Sequence, residues 1–91
     1  MANLYVYILT EDVNGEQCVI AVFDSYARAM EGAEAYMQMI ERDGMDDDPD
    51  FLADGGGFYA DIESEFRSVW HSDLLDHYVY IDRIALNQLH V

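Results

Sequence analysis

Two runs rich in β-branched and aromatic residues open the chain: Leu4 to Thr10 (LYVYILT) and Gln17 to Phe23 (QCVIAVF). Between them lies Glu11-Asp-Val-Asn-Gly-Glu16, where Asn14-Gly15 signals a tight turn because both residues tolerate positive φ. The pattern predicts a β-hairpin over residues 3–23. The period then changes. Asp24-Ser25 offers a side-chain acceptor to the first free amides of a helix, and good helix formers follow as far as Asp43-Gly44. On a helical wheel Tyr26, Ala29, Met30, Ala33, Tyr36, Met37 and Ile40 share one face, while Arg28, Glu31, Glu34, Gln38, Glu41 and Arg42 fall largely opposite. A helix over 25–43 should therefore lie with its apolar face across the hairpin.

Periodicity dissolves over 44–57. Clustered aspartates, Pro49 and Gly55-Gly-Gly57 predict a long acidic loop there. Phe58, Ala60, Ile62 and Phe66 then alternate with Tyr59, Asp61, Glu63, Glu65 and Arg67 as a half-buried strand would, although Phe58, Ile62 and Phe66 also fit a helix. The strand reading is preferred. Phe66 to His71 and Asp76 to Asn87 read as two further extended segments around Ser72-Asp-Leu-Leu-Asp76, which places the C-terminal strands within 58–88. The expected fold is a single α+β domain of ββαββ type, residues 1–91, with one amphipathic helix packed on an antiparallel sheet.

A chain of 91 residues is near the lower limit for folding without a staple, so its core must be efficient or shared with a second copy. The single cysteine, Cys18, cannot form an internal bridge, and its apolar neighbours predict a buried strand thiol in a reducing compartment. No apolar run approaches the roughly 18 residues of a membrane span, and Met1-Ala2-Asn3 carries no basic flank. A cytoplasmic protein is expected.

Charge changes the picture most. Nineteen carboxylates stand against four arginines and no lysine, a net −15, in a chain that is 52% apolar and so is not an acidic disordered tail. Such a field destabilises a compact body by self-repulsion, and its use is toward a cationic partner. Between Glu41 and Glu65 lie ten carboxylates and one arginine, so nine of the fifteen net negatives fall in that stretch. If 58–66 is a strand, Asp61, Glu63 and Glu65 point to one face at intervals of about 6.6 Å, twice the strand rise. DNA presents one phosphate per strand for about every 3.4 Å of axis, so such a row could engage lysines and arginines arranged for a nucleic-acid backbone. The candidate partner-binding residues are Asp46, Asp47, Asp48, Asp50, Asp54, Asp61, Glu63 and Glu65, with Phe58 and Trp70 as apolar anchors that slow dissociation.

Other chemistries find little support. Direct nucleic-acid binding needs a basic stripe that this chain lacks. As a calcium loop, a start at Asp46 puts Phe51 where glycine is required and Gly57 where the bidentate carboxylate belongs, and a start at Asp50 puts Leu52 at the third position. His71, Asp73, Asp76 and His77 are close in sequence but match no ligand spacing, and His90 stands beside the C-terminus. Cys18 lacks the electropositive setting a nucleophile needs, and Gly55-Gly-Gly57 is flanked by aspartates that would repel phosphate. Neither enzymatic activity nor a metal or cofactor is expected.

In size, acidity, lack of cysteine bridges and its hairpin-plus-helix opening (Leu4 to Phe23, then Asp24-Ser-Tyr-Ala-Arg-Ala29), the chain resembles the small early proteins by which bacteriophages disable host machinery. Within that group it is similar to the DNA mimics that block restriction enzymes, CRISPR complexes, uracil-DNA glycosylase, DNA gyrase or nucleoid proteins. The resemblance implies inhibition by occupying the DNA-binding groove of a host protein, in host cytoplasm. The alternative is an interaction domain, or a homodimer, that binds through a tyrosine-rich sheet: if Tyr5 and Tyr7 share the face away from the helix with Tyr78 and Tyr80, that face is the self-association surface, and acidity serves solubility.

Overall fold

In the computed structural model, which describes residues 4–86, the chain runs β1 (Tyr5–Val13), β2 (Glu16–Phe23), α1 (Tyr26–Asp47), β3 (Tyr59–Ile62), β4 (Arg67–Ser72) and β5 (His77–Ala85). One helix packs on a five-stranded antiparallel sheet of order β2-β1-β5-β4-β3. The α+β class and the hairpin-helix opening are as the sequence reads. The order is ββαβββ, one strand more than ββαββ, because each of the three extended segments read after the helix forms a strand of its own.

Asn14 (φ 53°) and Gly15 (φ 87°) form the two-residue turn, and Asp12 Oδ1 accepts the Gly15 N–H at 2.9 Å. Two successive positive φ values match the right-handed twist of the strands they join. The turn is therefore shorter than the polar segment around it, and Glu11, Asp12 and Val13 belong to β1. Ser25, extended at φ −145°, caps α1 by accepting the Arg28 N–H at 3.2 Å. Ala29, Ala33 and Met37 are its buried residues, and the two alanines let the helix come close to the sheet. With Tyr7, Leu9, Trp70, Val79 and Ile81 they make the core.

The helix continues one turn past Gly44, so Asp46 and Asp47 stand in its last turn rather than in a loop. Gly44 is tolerated there because the Phe51 ring occupies the space a side chain would take: a Cβ at Gly44 would meet it at 2.4 Å, and one at Gly56 also at 2.4 Å. Phe51, only 3% exposed, is thus clamped between two glycines. Ser72 Oγ donates to the Gly56 carbonyl (2.8 Å) and the Leu74 N–H to the Gly55 carbonyl (3.0 Å), tying the loop to the β4–β5 turn. The acidic loop is fixed to the body at three points.

Cys18 is exposed rather than buried. It lies on an edge strand of which only the far end, Ile20 and Phe23, packs against the core. The tyrosines divide between faces: Tyr7 lies in the core under the helix with Tyr5 packed against it, whereas Tyr78 and Tyr80 alternate with the buried Val79 and Ile81 and face away. Among the described residues no helix is long and apolar enough to cross a membrane. His90 lies outside the described residues.

Candidate acidic docking site

Residues 63–66 are not strand, and β3 is four residues long with its register shifted between Ala60 and Ile62. Asp61, Glu63 and Glu65 therefore do not form a row on one face of a strand. Asp61 sits at the irregularity, opposite no partner, and a bulged, charged, short strand is a usual way to blunt a sheet edge. Glu65 lies in the β3–β4 turn, where Ser64 bonds to Arg67 and Ser68.

The expected carboxylates form two groups. Asp46 and Asp47 end the helix; Asp48 caps it, and its Oδ1 accepts the Asp50 N–H at 3.0 Å. The Asp54 N–H then closes a turn onto the Asp50 carbonyl at 2.9 Å. This group sits beside the β4–β5 turn, while Glu63 and Glu65 sit at the opposite end of β4, whose six residues span about 20 Å at roughly 3.3 Å each. Asp46 and Asp47 stand against the negative end of the helix dipole, and no basic residue occupies the last turn. The site is held there at a cost in stability.

Between the two groups runs a groove of about 280 Å³ lined by Glu34, Met37, Gln38, Glu41, Phe58, Ala60, Glu63 and Trp70. Its position follows from the fold: Glu34, Gln38 and Glu41 are one helical ridge, Ala60 and Glu63 are the β3 side, and Met37, Phe58 and Trp70 form the floor. Of the residues expected from sequence to bind a partner, Phe58, Trp70 and Glu63 line this groove and the other seven do not; Trp70 is buried and offers an inner wall rather than a protruding ring. Glu41 Oε2 accepts the Phe58 N–H at 2.8 Å, which fixes one rim carboxylate and the start of β3 together. Glu34 and Glu41, on the face of the wheel expected to look into solvent, are the site residues the sequence does not announce.

Ion pairing leaves this region uncompensated. Arg28 pairs with Asp24 (3.8 Å) and Arg67 with Asp82 (3.3 Å), while Arg83 stacks on Tyr5 (4.2 Å) and Phe66 (4.1 Å). Among the described residues no salt bridge reaches a carboxylate between Glu41 and Glu65. The body measures 52 × 24 × 19 Å. Nine of the chain's fifteen net negatives fall in the stretch from Glu41 to Glu65.

The histidines do not converge. His77 is buried on the helix side of the sheet, its Nε2 3.1 Å from Glu11 Oε1 but not in hydrogen-bond geometry, and its ring lies edge-on to Phe58 at 5.4 Å. Glu11, which the sequence places in the segment between the two hairpin strands, accepts the Tyr36 hydroxyl at 2.6 Å; burial, and then that bond, raise the tyrosine's pKa. His71 lies on the opposite face, stacked on Tyr78 at 4.1 Å and 3.3 Å from Asp73. No group of three or more His, Cys, Asp or Glu positioned for a metal ion occurs among the described residues.

The sheet face away from the helix is more apolar than an open antiparallel face usually is. Val6, Ile8, Tyr78, Tyr80, Ile84 and Val69 lie on it, joined on the outer strands by Val19 (60% exposed), Val22 (58%) and Ile62 (50%). Across it runs an aromatic ladder from Tyr59 through His71 and Tyr78 to Tyr80, with the Arg67 guanidinium 5.1 Å from the last ring. Set against models of known families, curated proteins and solved structures, the chain finds no match in any of the three comparisons.

Proposed function

We propose that the protein is a DNA-mimic inhibitor: its acidic surface occupies the DNA-binding groove of a bacterial nucleic-acid protein, such as gyrase, a restriction or CRISPR nuclease or a nucleoid protein, and competes with DNA. The observation that carries this reading is the set of ten carboxylates between Glu41 and Glu65, none of which is reached by a salt bridge among the described residues. Two further features support it. The loop bearing Asp48, Asp50 and Asp54 is anchored by Phe51, so its charges are held in place before a partner arrives. Asp46 and Asp47 oppose the helix dipole, a placement that costs stability and has a use when a cationic surface covers it. Long-range attraction makes association fast and steeply salt-dependent.

The test is capture of partners on tagged protein from bacterial lysate at low salt, followed by stepwise salt and by duplex DNA. Release of one dominant DNA-binding protein by both supports the reading, and a partner indifferent to both overturns it.

A second reading rests on the apolar sheet face with its Tyr59–His71–Tyr78–Tyr80 ladder. In this reading two copies, or one copy and another protein, meet through that face. It carries Asp12, Asp82, Arg67 and His71, with Arg67 paired to Asp82 and with Asp73 at the Tyr59 end of the ladder. Binding through it survives high salt.

A further inference from the structure

We propose that the groove between α1 and β3 is a socket for a single arginine side chain of the partner protein. The inference rests on the reading of the acidic surface as a docking face and names what enters it.

The groove combines two requirements seldom met together. Its floor of Met37, Phe58 and Trp70 is apolar, and its rims carry Glu34 and Glu41 on the helix side and Glu63 on the strand side. Carboxylates on both walls favour a flat cation that can donate to two sides at once. A guanidinium does this: its donors lie in one plane around a weakly hydrated centre that rests on apolar and aromatic surface. A lysine ammonium is a compact, strongly hydrated point charge and would give up more hydration over this floor. At about 280 Å³ the groove lies just below the roughly 300–1,000 Å³ of small-molecule sites, a size suited to one side chain rather than a cofactor.

The groove is also pre-organised. The Phe58 N–H holds the Glu41 carboxylate, and Phe58 in turn packs edge-on against the buried His77 ring. The same stacking chemistry already operates within the chain, where Arg83 lies 4.2 Å from the Tyr5 ring centre and 4.1 Å from that of Phe66. A DNA-binding groove supplies such arginines, since they bond phosphates there. Inserted between the two acidic groups, one of them would turn a steered encounter into a bound register.

The experiment titrates N-acetyl-arginine amide into the isotope-labelled protein by NMR, beside the lysine and citrulline counterparts. Trp70, the sole tryptophan and one of the residues lining the groove, gives a single indole N–H signal. The expected result is saturable shifts at the Trp70 indole and at the Phe58 and Ala60 amides, stronger for arginine than for lysine and absent for the neutral citrulline. Glu63→Gln, at an exposed residue, should weaken arginine binding about tenfold, while Glu16→Gln on the hairpin should change nothing.

Unsaturable shifts spread over all acidic residues, or equal responses to arginine and lysine, would overturn the socket. So would a Glu63→Gln variant that binds as the parent does. The outcome is separable from that of the parent reading. A saturable arginine site in a protein that captures no DNA-binding partner leaves the socket and removes the mimicry, and a DNA-displaceable partner with no arginine site does the reverse.

Discussion

Phe51→Ala tests whether the acidic loop is a built part of the body. The ring is 3% exposed, and both Gly44 and Gly56 lie close enough that a Cβ at either would come within 2.4 Å of it. Removing a buried phenyl group costs about 3–5 kcal/mol where the surroundings cannot collapse, and glycine backbones on either side leave little to collapse with. A domain of this size has only about 5–15 kcal/mol in total. Phe51 stands apart from the core of Tyr7, Leu9, Ala29, Ala33, Met37, Trp70, Val79 and Ile81, so the loss should fall first on residues 48–57.

Amide hydrogen exchange reads this directly. Three kilocalories correspond to roughly a hundredfold in an opening equilibrium. The Gly56 and Leu74 amides, bonded to the carbonyls of Phe51 and Gly55, should lose at least that much protection, while the Leu9 and Ile81 amides of the central strands keep theirs. Protection at Gly56 and Leu74 that is unchanged in the variant, or already absent in the parent, would refute the clamp. The pre-positioning of Asp48, Asp50 and Asp54 would fall with it.

Three further outcomes follow from the same geometry. Replacing Asp46 and Asp47 by Asn should raise stability by about 0.3–1 kcal/mol per site in low-salt thermal melts, with the gain shrinking as salt is added, because both charges oppose the helix dipole; the same pair should weaken partner capture. Tyr36 is kept protonated above its ordinary pKa of 10.0 by burial and by the bond to Glu11. The fold therefore holds a proton that the unfolded chain releases, so this contribution is complete below pH 10 and is lost as pH rises above it. Tyr36→Phe should flatten the alkaline limb of a denaturation profile, with a residual slope from Tyr59 and Tyr80, whose pKa values are raised too. Ser25→Ala should cost about 1 kcal/mol in urea unfolding through loss of the bond to the Arg28 amide.

Elements set by local residues are legible in the sequence, and elements set by tertiary packing are not. Asn14-Gly15 and Ser25 act locally, and the hairpin turn and the helix start lie where these residues put them. The apolar stripe of the helix is likewise legible, since Ala29, Ala33 and Met37 are the residues buried. The helix end is not, because Gly44 looks like a terminus until Phe51 is known to pack on it from seven residues away in sequence. The strand reading of 58–66 fails beyond Ile62 for a related reason: Ser64 and Ser68 form a turn whose bonds override the alternation of Glu63, Glu65 and Arg67.

At the site, the acidic segment is visible as composition, and Phe58 and Trp70 meet it as aromatic neighbours. The groove itself is a tertiary object. Glu34 and Glu41 sit on the outer side of the helical wheel, and only the lateral placement of β3 and β4 beside the helix makes them a wall. Glu11 and His77 were hidden in the same way: polar residues near turns in sequence, they meet under the helix because β5 inserts beside β1.

The central claim is most directly tested by capture of partners from bacterial lysate on three forms of the protein side by side: the parent, a variant with Asp46, Asp47, Asp50 and Asp54 replaced by Asn, and a variant with Tyr78 and Tyr80 replaced by Ser on the open sheet face. A DNA mimic should hold one DNA-binding protein through the parent and the sheet-face variant, release it to salt and to duplex DNA, and lose it in the acidic-surface variant. Retention of that partner by the acidic-surface variant, with loss from the sheet-face variant and indifference to DNA, would contradict the claim.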